Sequence, residues 1–165
     1  MEESLTGILS LQTPELSRKT GSEESDMYFE LPATPPEQIN PAVLAYLGDA
    51  VYELLTREFL LHRQQEHSRK LHNKALLLCS AVGQAKAMRA LLPLLDAEEQ
   101  HQFKRGRNAA LSVTKRDNPT VHCAASGLET LFGYLYLKKE QERMLQLFSI
   151  CVQTCLPEEE IAKAE

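Results

Sequence analysis

The chain has 165 residues, 43% of them hydrophobic and 25% charged, enough for one domain with a real core. No apolar run reaches the ~20 residues needed to span a membrane, and the start, Met1-Glu-Glu-Ser, is acidic where a secretory signal is basic. The net charge of −5 divides into −6 for residues 1–40, +4 for residues 41–156 and −3 for residues 157–165. The acidity is therefore in the ends, and the mildly basic centre suits an anionic partner.

Residues 1–36 are poor in aromatics and end in Pro35-Pro36. They read as an acidic, mobile tail in which Leu5, Ile8, Leu9 and Leu11 form at most one amphipathic turn. Residues 37–156 read as the folded domain, and 157–165 as a second acidic tail. The first helix is expected from Pro41 to about His62, with Asn40 as N-cap and Pro41 at the first helical position. Val43, Leu47, Ala50, Val51, Leu54 and Leu55 form one apolar stripe. A second face of small and aromatic residues (Ala42, Ala45, Tyr46, Tyr52) is centred on Asp49. Gly48 costs about 1 kcal/mol of helix propensity, which implies close approach by another segment. A carboxylate on a helix apolar on nearly all sides needs a partner or a metal. Glu53, one turn on, reads as a surface ion-pair residue.

The polar run His62–Ser68 is a loop, followed by helices over about 69–79 and 81–92. The second of these is expected to bury Val82, Ala85, Met88 and Leu92, and Pro93 ends it. Asp96-Ala-Glu-Glu99 is a capping-box start for a helix reaching Arg105 or beyond. The stretch Ser112–Asp117 lacks periodicity and reads as a loop. Asn118-Pro119 repeats the earlier cap and opens a helix to about Leu137, and a last helix over about 140–155 turns Met144, Leu147, Phe148 and Cys151 inward. No strand pattern occurs, so the fold class is all-α.

Cys79, Cys123, Cys151 and Cys155 show no C-x-x-C spacing and sit in apolar surroundings, as reduced core cysteines of a cytosolic protein do. His62, His67 and His72 are five apart, about 140° around a helix at ~3.6 residues per turn, which argues against a zinc site.

Two further stretches carry chemistry. In Ser126-Gly-Leu-Glu129-Thr-Leu-Phe-Gly-Tyr-Leu-Tyr-Leu137, one acid again sits among apolar residues, with Gly127 and Gly133 for close approach and Leu128, Leu131, Phe132 and Leu135 as the core stripe. If the two glycine-containing helices cross, Asp49 and Glu129 meet. Like charges at short range resist joint ionisation unless a cation intervenes, and all-oxygen ligands suit Mg²⁺, with Mn²⁺ in its place. The alternative is a pair of separate, hydrogen-bonded structural acids. The second stretch holds Lys104, Arg105, Arg107, Lys115 and Arg116 within thirteen positions. Cations at this density neutralise phosphates, Asn108 can bond to sugar or base edges, and Gly106 would let backbone approach a phosphate chain. With only Phe103 as an aromatic neighbour, duplex backbone contact fits better than single-strand stacking. Arg69, Lys70 and Lys74 add a weaker basic patch.

Leu44-Ala-Tyr-Leu-Gly-Asp-Ala-Val-Tyr-Glu53 resembles the ribonuclease III signature. Together with Lys104-Arg-Gly-Arg-Asn-Ala109 and Ser126–Leu137, in that order, the resemblance narrows to the Mini-ribonuclease III family over about residues 38–152. It implies an all-helical, homodimeric ribonuclease III-like domain that cuts double-stranded RNA with Mg²⁺, with Asp49 and Glu129 as metal ligands and catalytic acids. Lys74, Lys104, Arg105, Arg107, Asn108, Lys115 and Arg116 are the implied RNA-binding residues. Family members mature the large-subunit ribosomal RNA precursor in bacteria and plastids, helped by a ribosomal protein on the substrate. A bacterial cytosolic or plastid stromal location follows, with no membrane. Larger ribonuclease III enzymes carry further acids where this chain has Ala42, Ala45 and Ser126, which leaves waters or Ser126 to complete the ligand set. Ala110 also stands where a basic residue is expected. Competing expectations are a duplex-RNA binder of this fold with weak or no catalysis, and a helical protein-binding scaffold with purely structural acids.

Overall fold

The computed structural model describes residues 33–61, 66–113 and 118–161, and among these no strand occurs. Residues 1–32 of the expected tail over 1–36, residues 62–65 of the expected loop, and Lys115 and Arg116 lie outside the described residues. A short 3-10 turn, Pro36–Gln38, leads into α1 (Pro41–Leu61), followed by α2 (Ser68–Cys79) and α3 (Ala81–Leu91). After a 3-10 turn at Leu92–Leu94 come α4 (Ala97–Val113), α5 (Pro119–Leu137), α6 (Gln141–Cys155) and the single turn α7 (Glu158–Ile161). Thus α4 continues into the stretch expected as a loop, and Ile161 of the expected acidic tail packs against the core. No single described helix is long and apolar enough to cross a membrane.

Local chemistry sets these boundaries. Asn40 Oδ1 accepts from the Ala42 N–H at 2.9 Å, and Asn118 Oδ1 accepts from the Val121 N–H. Asp96 and Glu99 form a reciprocal capping box: each carboxylate accepts from the other's backbone N–H, at 2.8 and 2.9 Å. Arg143 of α6 donates to both Glu99 oxygens, which ties the start of α4 to α6. Ser80 ends α2 and caps α3 through its Oγ, which accepts from the Gly83 N–H.

The axis of the domain is α5, against which α1, α3, α4 and α6 all pack. Its stripe of Leu128, Leu131, Phe132 and Leu135 is fully buried, as the spacing predicts. On α1 the expected stripe is half right: Val51 and Leu55 are buried as expected, but the rest of the buried face is displaced by one residue. The buried positions are Leu44, Gly48, Val51 and Leu55, whereas Val43 and Leu54 are each 57% exposed. A shift of one residue is a rotation of about 100°. Both stripes are apolar, and the rotation is decided by Gly48, the only α1 position that lets α5 come so close. Tyr52 consequently points into the core, edge-on to Phe132 at 5.1 Å and to Phe148 at 5.5 Å, instead of flanking Asp49. On α3, Ala85 and Met88 are buried as expected, whereas Val82 and Leu92 are exposed and Gln84, Ala87 and Leu91 face inward instead.

All four cysteines are free thiols. Burial pushes the Cys151 thiol up to about 12, so it packs as an inert apolar group.

Candidate active site

The crossing of α1 and α5 builds the site. A Cβ on Gly48 would strike the backbone carbonyl of Glu129, and one on Gly133 would strike the carbonyl of Leu44. Two glycines thus let the backbones touch beside the acids. Asp49 and Glu129 emerge on the same side of this contact and line one open cleft of about 580 Å³. Ala42 and Ala45 of α1, Ala109 and Ala110 of α4, and Ser126 of α5 complete much of its wall with small side chains.

The carboxylates are electrostatically linked. Burial raises the Asp49 pKa, and Glu53 adds to the effect. Glu129 lies deeper: burial first, then the charge on Asp49, push its carboxyl up to about 7, while the Gln84 amide pulls the other way. The asymmetry has a simple cause. Asp49 ionises first and meets no charge on Glu129, whereas Glu129 must ionise against a charge already present. Glu53 itself pairs with Arg57 along the exposed side of α1, as expected of a surface residue.

A hard divalent cation fits this pair. It offers two oxygen donors whose mutual repulsion a positive charge would relieve, in a cleft with room for water. Among the described residues no group of three or more His, Cys, Asp or Glu is placed to hold a metal, so waters or substrate oxygens would supply the remaining ligands. Ser126 stands one turn before Glu129 and lines the same cleft.

The basic run does not converge on the acids. Lys104, Arg107 and Asn108 are exposed, but Lys104 and Asn108 lie about 200° around α4 from Gly106, which borders the cleft. Gly106 is buried, and a Cβ there would meet the Thr130 side chain. It serves helix packing, not approach to a phosphate chain. Arg105 is turned inward, donating to Gln102 Oε1 and to the Ile39 carbonyl at 2.7 Å each. Lys74 is held by both oxygens of Glu66, at 2.6 and 2.7 Å. These two cations have protein partners and are not freely presented.

Sequence reasoning missed two residues of the cleft, His122 and Gln84. His122, Ser126 and Glu129 are spaced i, i+4, i+7, which marks one face of α5. Gln84 is a polar residue inside the stripe completed by Ala87, Met88 and Leu91, and that interruption is visible in the sequence.

The Ribonuclease III domain family matches residues 42–140, which contain both acids, the crossing glycines and the cleft. Relatives agree over most of the chain. Mini-ribonuclease 3 of Enterococcus faecalis is 38% identical over 120 residues, covering 71% of this chain and 91% of that protein. Mini-ribonuclease 3 of Synechocystis is 41% identical over 121 residues, 72% of this chain and 83% of the relative. The chain belongs to the Mini-ribonuclease III family. The fold agrees as well: the crystal structure of protein FN1578 from Fusobacterium nucleatum superposes with a TM-score of 0.66 at 24% identity, covering 73% of this chain and 98% of that one.

Proposed function

We propose that the chain is an endoribonuclease that cleaves double-stranded RNA, with Mg²⁺ or Mn²⁺ held between Asp49 and Glu129. The observation that carries this reading is the pairing of a mostly buried Glu129 carboxyl, its pKa near neutrality, with Asp49 in an open cleft. When bound, a divalent cation polarises a phosphoryl oxygen and lowers the pKa of water. The protein's own residues do the rest. Asp49 and Glu129 hold the cation. Ala42 and Ala45 leave space for the water and the scissile phosphate, and the Ser126 hydroxyl is available to orient them. In-line hydrolysis would leave 5′-phosphate and 3′-hydroxyl ends.

Lys104 and Arg107, with Lys115 and Arg116, would neutralise duplex phosphates away from the cleft, and Asn108 would contact sugars there. Duplex RNA is read by its A-form shape and 2′-hydroxyls, so little sequence preference is expected from these contacts. The exposed apolar stripe of α1 supports a homodimer: Tyr46, 84% exposed, borders the cleft, and Val43 and Leu54 flank it. Two copies paired there would each present one site to one strand. The substrate that family membership favours is precursor large-subunit ribosomal RNA, met with a bound ribosomal protein in a bacterial cytosol or plastid stroma.

The test is single-turnover cleavage of a short RNA duplex with Mg²⁺, comparing parent with Asp49→Asn. Asp49→Asn should lose cleavage and keep binding. Equal cutting by both would reject the mechanism, and binding without cutting by the parent would establish the non-catalytic alternative.

A further inference from the structure

Five polar or charged residues are buried in the described fold: Thr56, Gln84, Glu99, Gln102 and Thr130. Four have clear partners. Thr56 donates to the Tyr52 carbonyl, Thr130 to the Ser126 carbonyl, Gln102 to Glu98, and Glu99 receives Arg143. Gln84 is the exception. It is 2% exposed, and its Nε2 lies near enough to Glu129 to favour the charged carboxylate, yet it makes no hydrogen bond of complete geometry. A buried donor without a complete hydrogen bond is costly, so its presence at this place calls for a use. Tyr52 also has an unpartnered hydroxyl, but it sits in the aromatic core, whereas Gln84 lines the cleft and faces Glu129.

We infer that Gln84 is a positioning residue: its amide holds the Glu129 carboxylate by one oxygen and leaves the other for the cation. The Ser80 cap fixes the start of α3, so Gln84 projects one turn later from a rigid element. A neutral amide suits the task, because it donates without competing for the site as a Lys or Arg would. At its depth it reaches Glu129 and not a phosphate lying in the open cleft. Partners that orient a ligating carboxylate commonly affect metal affinity as well as rate.

This inference rests on the cation reading above, and one experiment separates the two. Mn²⁺ alone is titrated into the full-length parent and into Gln84→Met, with binding read by electron paramagnetic resonance and melting temperature recorded alongside. Gln84→Met should bind Mn²⁺ about 10–100-fold more weakly. It should also lose kcat on duplex RNA at unchanged KM, with the melting temperature showing that the variant is folded. Parent-like Mn²⁺ affinity in the variant overturns the inference. So does a raised KM at unchanged Mn²⁺ affinity, which would assign the amide to RNA. A parent that binds no Mn²⁺ overturns the cation reading itself. If Gln84→Met does not fold, Gln84→Asn carries the same test, since it keeps the amide but shortens its reach: weakened Mn²⁺ binding supports the inference and parent-like binding overturns it.

Discussion

The Cα of Gly48 faces the backbone carbonyl of Glu129 so closely that a methyl group between them would overlap it. Asp49 follows Gly48 directly, so the contact that joins the two helices also sets the spacing of the two acids. Packing and chemistry share one point of the fold, and substitutions there should affect both.

Gly48→Ala should therefore be costly. The added carbon meets backbone of Glu129 and Gly133, not a side chain that can swing away. Overpacking of this kind costs about 1–3 kcal/mol or more. Urea denaturation should show a lowered midpoint, and any protein that still folds should lose metal binding, because the helices have been pushed apart.

The pH dependence has a definite sign. The Glu129 carboxyl titrates at about 7 in the fold against 4.5 for the ordinary group, so the folded chain holds this proton more tightly. Its contribution to stability is full below 4.5 and is lost as pH rises through 7. At ~1.4 kcal/mol per unit, the loss is on the order of 3 kcal/mol. Without divalent ions, Glu129→Gln should melt higher than the parent at pH 8 and converge with it near pH 4.5. Mn²⁺ should raise the parent's melting temperature at pH 8 and leave that of Glu129→Gln nearly unchanged.

The cations of α4 should separate by role. Lys104→Ala and Arg107→Ala should each reduce the slope of log binding constant against log salt by about 0.7–0.9, measured on duplex RNA without divalent ions. Arg105→Ala should leave that slope alone and lower stability, because it frees the Ile39 carbonyl and Gln102 from their donor. An unchanged slope in Lys104→Ala and Arg107→Ala would move the RNA path off α4.

The outer stripe of α1 gives a test of assembly. Tyr46→Asp or Leu54→Asp should convert a dimer to monomers in sedimentation velocity while leaving helix content intact, since both side chains are exposed within one chain. A parent that is already monomeric would remove the dimer from the proposal.

Much of this was legible in the sequence. The Asn-Pro caps, the Asp96–Glu99 capping box and the α5 stripe follow from local rules and occur as read. The α1 stripe was not fully legible. Val51 and Leu55 are buried as read, but Val43 and Leu54 are as apolar as Leu44 and Gly48 at helical spacing, and only the close approach of α5 at Gly48 selects the latter pair. Charge density misled for a related reason: five cations in thirteen positions say nothing about direction, and Arg105 turns inward because Ile39 and Gln102 present oxygens there. Gln84 escaped because an amide in an apolar stripe reads as a flaw until its neighbours are known.

The crossing of α1 and α5 also has a bearing on synthesis. Asp49 precedes Glu129 by 80 residues, and the two meet only when Gly48 seats against α5. A growing chain thus exposes its first acid long before the second has been made. No partial product ending before α5 can assemble the pair, so an enzyme directed at RNA would stay inert beside the RNA of its own ribosome until the domain is nearly complete.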